Sequence, residues 1–252
     1  MKIVIIGSGN VAWQLGIALK KAGHKIKEVC GRNTPEVYRM AIKLKANLLY
    51  QIKGMDTSAD VYIVAVSDSS IKDILKKLPL KKQLVVHTSG SMPLSIFGKK
   101  YLNHGVFYPV QTISKKTKTN FKATTVCIEA NNKISEKRLM QLTETINSKA
   151  YKINSGQRSA LHLAAVFANN FTNHLYTVAQ KILSRNKLPF DLLQPLINET
   201  VRKIKSKNPS DVQTGPAARN DLVTIQKHLK MLNKFPEYQK IYHQITKSIR
   251  KQ

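Results

Sequence analysis

The residues best suited to chemistry open the chain. Lys2 to Ile6 is a short apolar run, and Gly7-Ser8-Gly9-Asn10-Val11-Ala12 follows at once. A strand that ends in Gly-x-Gly-x-x-Ala and turns into a helix is suited to gripping a pyrophosphate. Gly7 allows the tight turn, Gly9 lets an anion approach the backbone, and Ala12 lets the helix pack close to the strand. The N–H groups at the helix start, from Ser8 through Val11, then face the anion. Redox chemistry with a bound dinucleotide is the expectation.

The end of the next strand selects the dinucleotide. The chain reads Cys30-Gly31-Arg32-Asn33-Thr34 there. An NAD site usually carries Asp or Glu at this tip to hold the ribose hydroxyls. Gly31 takes that place, and Glu28 lies inside the strand. Arg32 follows, and a guanidinium with small polar neighbours such as Asn33 suits a 2′-phosphate. NADP is therefore the expected cofactor; the plainer reading of Arg32 is a solvated surface charge.

Two further strand tips are polar. Val66-Ser67-Asp68 should border the adenosine and phosphates, although Asp68 is equally suited to starting a helix. His87-Thr88-Ser89-Gly90-Ser91 should face the nicotinamide end. Thr88 would touch cofactor there, and His87 and Ser89 could donate or relay a proton; for His87 structural hydrogen bonding is the plainer role. Tyr108 and Gln111 follow a later strand and could line a substrate pocket.

A long helical stretch supplies the last group. It contains His162, Asn169, Asn170, Asn173 and His174 among Leu, Ala, Val and Phe. At about 100° per residue, His162, Asn169 and Asn173 fall within roughly 40° of one another. Asn is a mediocre helix former, so this density needs a reason. His162 is the candidate proton donor or acceptor, with Asn170 and Asn173 orienting substrate. The alternative is a polar seam between domains or subunits.

The elements that must position these groups follow from periodicity. Expected strands are Lys2–Ile6, Lys25–Cys30, Asn47–Tyr50, Val61–Val66, Leu84–Thr88, Gly105–Phe107, Thr125–Glu129 and Ala150–Lys152, with helical stretches between many of them. This is the rhythm of an α/β doubly wound, Rossmann-like sheet. From about Ser155 the pattern is all-helical: Gln157–Asn186, Pro189–Lys207, Asp221–Asn233 and Pro236–Lys251. The expected domains are 1–154, binding NADP, and 155–252, a helical substrate or dimerisation domain.

Composition bounds the alternatives. The 252 residues are 42% hydrophobic, enough for one large domain or two smaller ones. No apolar run reaches the roughly 18 residues of a membrane span. The opening is too short for a signal peptide, and Cys30 and Cys127 look like small buried apolar residues rather than a disulfide or metal framework. A cytoplasmic protein without a metal is expected. The net charge of +28 invites a nucleic-acid reading. However, only eight of the 42 basic residues are Arg, and aromatic content is 7%. Lysines are spread in ones and twos with no aromatic interleaving, which argues against nucleic acid as the main partner. The positive field still draws anionic ligands.

The motifs Gly-Ser-Gly-Asn-Val-Ala, His87-Thr-Ser-Gly-Ser, Phe107-Tyr-Pro-Val-Gln-Thr, His162-Leu-Ala-Ala-Val-Phe-Ala-Asn-Asn-Phe-Thr-Asn-His174 and Gln213-Thr-Gly-Pro-Ala-Ala-Arg together resemble one family. It comprises bacterial Rossmann-like NADP oxidoreductases with a C-terminal helical domain of unassigned function. The family is similar to deazaflavin-dependent NADP oxidoreductases, pyrroline-carboxylate reductases and β-hydroxyacid dehydrogenases. The resemblance implies NAD(P) in the N-terminal domain and a homodimer through the helical one. β-Hydroxyacid dehydrogenases carry a Lys with an Asn one turn later on the long helix, and this chain has no Lys in that stripe. The expected function is hydride transfer to or from a small-molecule carbonyl, imine or hydroxyacid. The alternative is an NADP(H)-binding sensor or interaction protein without turnover.

Overall fold

The computed structural model describes residues 1–32 and 34–251. Within them, β1 (Lys2–Ile6), β2 (Lys25–Cys30), β3 (Asn47–Leu49), β4 (Val61–Val64), β5 (Leu84–His87), β6 (Asn103–Val110), β7 (Thr125–Ala130) and β8 (Lys149–Lys152) form one sheet. Its order is β3-β2-β1-β4-β5-β6-β7-β8. The strand order reverses at β1, and in such sheets ligands sit beyond the carboxyl ends at that reversal.

The central strands are apolar without alternation because both faces are covered. Ile3 and Ile5 enter one core cluster, and Val4 and Ile6 enter the other. Helices α1 (Asn10–Lys21), α2 (Pro35–Leu44) and α4 (Lys133–Thr145) add Leu15, Leu19, Met40 and Leu139 to the first cluster. Helix α3 (Asp68–Lys77) adds Ile71 and Leu75 to the second. The expected doubly wound α/β sheet is present.

One strand exceeds expectation. β6 runs from Asn103 to Val110 rather than over three residues, and it pairs antiparallel with β7 from Gly105↔Ala130 to Val110↔Thr125. Pro109 lies past the stretch where β5 pairs, so β6 has a neighbour on one side there. A proline is tolerated in such a one-sided ladder. This extension carries Tyr108 past the edge of the core.

The long helix is also more than one regular element. Helix α5 (Ser155–Ala165) starts with a capping box: the Asn154 side chain accepts from the Gln157 N–H, and Gln157 returns a bond to Asn154. Val166–Phe171 is then a π-helix, and α6 (Thr172–Arg185) resumes α geometry. The wider i→i+5 turns of a π segment delay every following side chain. The regular 100° arithmetic that aligned Asn169 and Asn173 with His162 therefore does not apply.

The chain divides into compact units Met1–Asn170 and Phe171–Gln252. Helix α5 thus belongs with the sheet, and the strand-rich pattern ends before the first unit does. The second unit holds α6, α7 (Gln194–Ile204), α8 (Leu222–Met231) and α9 (Pro236–Ile249). Asp221 caps α8 by accepting from the Thr224 N–H (3.0 Å) and hydroxyl (2.7 Å). His228 Nδ1 and the Tyr242 hydroxyl, 2.8 Å apart, tie α8 to α9.

Candidate active site

The site begins where β1 ends. Gly7 has φ +117°, and its N–H donates to the Cys30 carbonyl at 2.7 Å. A Cβ there would stand 2.2 Å from the Ala65 carbonyl oxygen. The fold itself therefore demands glycine at position 7. Gly9 is different: a Cβ there meets nothing within 4 Å. It holds the N-cap position of α1, where no side chain caps the helix and the first turn carries no acid. By contrast Asn132, Asn154 and Asp221 cap their own helices. The start of α1 is left as an anion-binding end that glycine keeps open. These residues fit the pyrophosphate of a dinucleotide. Ala12 is buried in the core beneath them, as close helix–strand packing requires.

The turn opens into a cleft of about 1420 Å³. That exceeds the roughly 300–1,000 Å³ of ordinary small-ligand sites, as room for a dinucleotide and a substrate requires. Gly7, Ser8, Gly9, Asn10 and Val11 line it, as do Arg32, Val66, Ser67, Asp68 and Thr88. Asn33, expected beside Arg32, lies outside the described residues. At position 31 a Cβ would press on Val37 Cγ2 at 2.9 Å, so an acidic side chain at this tip would collide with α2. Glu28 is buried and accepts from the Asp56 N–H at 3.0 Å, a structural role away from the tip. Burial pushes the Cys30 thiol up to about 11, with the Glu28 charge adding to it, so it stays protonated.

At the other end, side chains from three elements converge. Ser89, Gly90, Tyr108 and His162 all line the cleft. Tyr108 Oη lies 3.1 Å from His162 Nδ1, with the two rings edge to face at 79°. Both rings rest on Gly90: a Cβ there would meet His162 Cγ and Nδ1 at 2.8 Å and Tyr108 Cζ at 2.9 Å. Burial raises the Tyr108 phenol above its ordinary value of 10, so it keeps its proton.

The strand tip before them splits its polar residues between two environments. His87 is fully buried and does not line the cleft. Its Nδ1 accepts the Ser89 N–H at 3.2 Å, and its ring stacks on Phe97 at 5.5 Å. Burial, with repulsion from Arg158, pushes its pKa down to about 4. A neutral, sealed imidazole supports the tip instead of delivering protons. Ser89 Oγ accepts from the Ser91 and Met92 N–H groups at 3.1 and 3.0 Å, which fixes the turn carrying Gly90.

A buried clamp holds α5 against this turn. Arg158, one helical turn before His162, has no exposed surface, and its guanidinium pairs with Glu129 of β7 and donates to the Met92 carbonyl. Ser155 donates to Glu129 at 2.9 Å and accepts the Leu94 N–H at 2.9 Å. A buried ion pair of this kind needs its hydrogen bonds to offset desolvation. Sequence reasoning missed Arg158 and Glu129; an Arg one turn ahead of a candidate His was the available signal. The asparagines of the long helix are placed differently. Asn170 is exposed and does not line the cleft, and Asn173, also exposed, belongs to the second unit.

The class this defines is a Rossmann-like protein whose cleft runs from a glycine turn that fits a dinucleotide to a hydrogen-bonded His–Tyr pair. Residues 2–90 match the family model described as NADP oxidoreductase, coenzyme F420-dependent, and residues 124–249 match the domain of unknown function DUF2520. The chain belongs to this family of NADP oxidoreductases with a DUF2520 C-terminal domain. A provisionally assigned NADP oxidoreductase from Bacteroides fragilis is 38% identical, with TM-score 0.93 over 100% of this chain and 98% of that one. An imine reductase from Myxococcus stipitatus in complex with NADP+ shares the fold, at 16% identity and TM-score 0.72, over 100% of this chain and 93% of that one. So does a 1-pyrroline-5-carboxylate reductase from Streptococcus pyogenes, at 14% and 0.67, over 100% and 99%. A search of the curated proteins finds no match.

Proposed function

We propose that the protein transfers a hydride between NADP(H) and a small polar carbonyl, imine or hydroxyacid, with His162 moving the proton. The observation that carries this reading is one continuous cleft. It runs from the uncapped start of α1 past Arg32 to the hydrogen-bonded Tyr108–His162 pair. Bound there, the nicotinamide group would supply or accept the hydride.

The chain's own residues supply the rest. The Gly7–Val11 turn holds the pyrophosphate, and Arg32 selects the 2′-phosphate. His162 gives a proton to the oxygen or nitrogen on which charge builds during reduction, and takes it back during oxidation. Tyr108 occupies Nδ1, which leaves Nε2 for the reacting atom. A phenol oxygen accepts from Nδ1–H both before and after the Nε2 proton leaves, so the ring keeps its pose through the transfer. Ser89 and Thr88 border the nicotinamide end.

We further propose a homodimer. Helices α6 and α7 bury no residue within the chain, and Leu175, Leu192, Leu196 and Val201 are exposed. Apolar faces of this kind favour a second subunit. Among the described residues, no helix is long and apolar enough to cross a membrane. With both cysteines buried as free thiols, we place the protein in the cytoplasm.

The test is NADPH oxidation followed at 340 nm with cyclic imines, 2-oxoacids and aldehydes, and the reverse reaction with hydroxyacids. Stoichiometric turnover of one class supports the proposal. Tight NADPH binding without turnover of any class favours a non-catalytic sensor.

A further inference from the structure

The segment 111–120, between β6 and the short helical turn Phe121–Ala123, has no regular structure, yet α1 holds it at several points. Gln14 of α1 is 5% exposed. Its amide nitrogen donates to the Ser114 carbonyl at 2.7 Å and the Thr117 carbonyl at 2.9 Å, and its oxygen accepts the Thr119 N–H at 3.2 Å. Asn10, in the glycine turn, accepts the Lys115 N–H at 3.3 Å. A buried amide is costly unless bonded, and Gln14 spends its capacity on this loop alone. Lys115 is half-buried and lines the same cleft as Gly7–Val11, whereas Lys116 and Lys118 are exposed and do not.

We propose that Lys115 is a ligand for the cofactor pyrophosphate, delivered to the glycine turn by the Gln14-held loop. A helix start offers partial positive charge and N–H donors, but no full countercharge. The first turn of α1 has no cationic side chain of its own. Lys115 is tied through its backbone to the first residue of that helix, so its ammonium is the full charge fastened to the anion end. Charge-assisted bonds of this type are about twice as strong as neutral ones. The inference rests on the reading of the cleft as a nucleotide site.

The test measures dissociation constants for NADPH and NADH by fluorescence titration of the full chain. Wild type is compared with Lys115→Met, Arg32→Ala, Gln14→Leu and the Lys115→Met/Gln14→Leu double variant. Both nucleotides carry the pyrophosphate, so Lys115→Met should weaken both by the same factor, about tenfold. Arg32→Ala should weaken NADPH far more than NADH. Gln14→Leu should also weaken both, and the double variant should be no weaker than Lys115→Met alone. If wild type binds and Lys115→Met leaves both affinities unchanged, the inference is overturned and the cofactor reading stands. A loss confined to NADPH also overturns it, since that would place Lys115 at the 2′-phosphate. If wild type binds neither nucleotide, the cofactor reading fails and takes the inference with it.

Discussion

Tyr108 Oη and His162 Nδ1 stand 3.1 Å apart although 54 positions separate them in the chain. The pair exists because β6 extends beyond the core and because the Arg158 clamp sets the start of α5. Replacing His162 with Ala should lower turnover by about 10²–10⁴-fold, the usual worth of a positioned general acid. NADPH affinity should stay intact. Tyr108→Phe keeps the ring and removes the bond to Nδ1, so it should cost about tenfold in kcat. Steady-state kinetics with a parallel NADPH titration checks both; a lost affinity would move His162 into cofactor binding.

The two glycines of the opening turn should separate folding from binding. Gly7→Ala places a Cβ against the Ala65 carbonyl at φ +117°. It should destabilise the protein by about 3 kcal/mol or more. Gly9→Ala meets open space. It should cost only about 1 kcal/mol in urea unfolding, because Gly is preferred to Ala at an N-cap, while weakening NADPH binding about tenfold or more. Equal effects on stability would mean that Gly9 serves the fold.

Gly90 carries a third contrast. The Cβ of Gly90→Ala would overlap His162 and Tyr108 within 2.9 Å, so one ring must move. Turnover should fall more than thermal stability, because both rings border the cleft. A variant with native kcat and a lowered Tm would show that the pair is structural.

Acid should unfold the protein partly through His87. Its folded pKa lies near 4, below its ordinary 6.5, because burial and then Arg158 disfavour the charged form. The unfolded chain therefore binds the proton first, and stability falls as pH drops through that window. From pH 7 to pH 5 the loss due to His87 should be about 2 kcal/mol. His24 and His104 shift in the same direction and add to the slope. His87→Gln should be less stable at pH 7 but show a shallower decline; urea unfolding at both pH values measures the difference.

How legible the site was depended on the reach of its determinants. The first strand, its glycine turn and the first helix follow from adjacent residues, so they were readable. The antiparallel partner of β6, the 100 positions between Gln14 and Ser114, and the pairing of Tyr108 with His162 depend on sheet order, which local pattern does not encode. His87 was grouped with Thr88 and Ser89 by adjacency. β5 ends at His87, whose ring still packs in the core on Phe97, whereas Thr88 and Ser89 lie in the turn beyond the strand and reach the cleft. The π segment after α5 left no mark in the hydrophobic period, so the regular wheel drawn from His162 through the Asn residues does not apply past Ala165.

The most direct measurement is calorimetric titration of NADPH and NADH into the purified protein at one fixed salt concentration, with Arg32→Ala alongside. The expected result is one saturable NADPH site per chain and NADH binding about tenfold or more weaker. Arg32→Ala should bring the two nucleotides to similar affinity. Absence of saturable NADPH binding by the wild-type protein would contradict the assignment of the cleft.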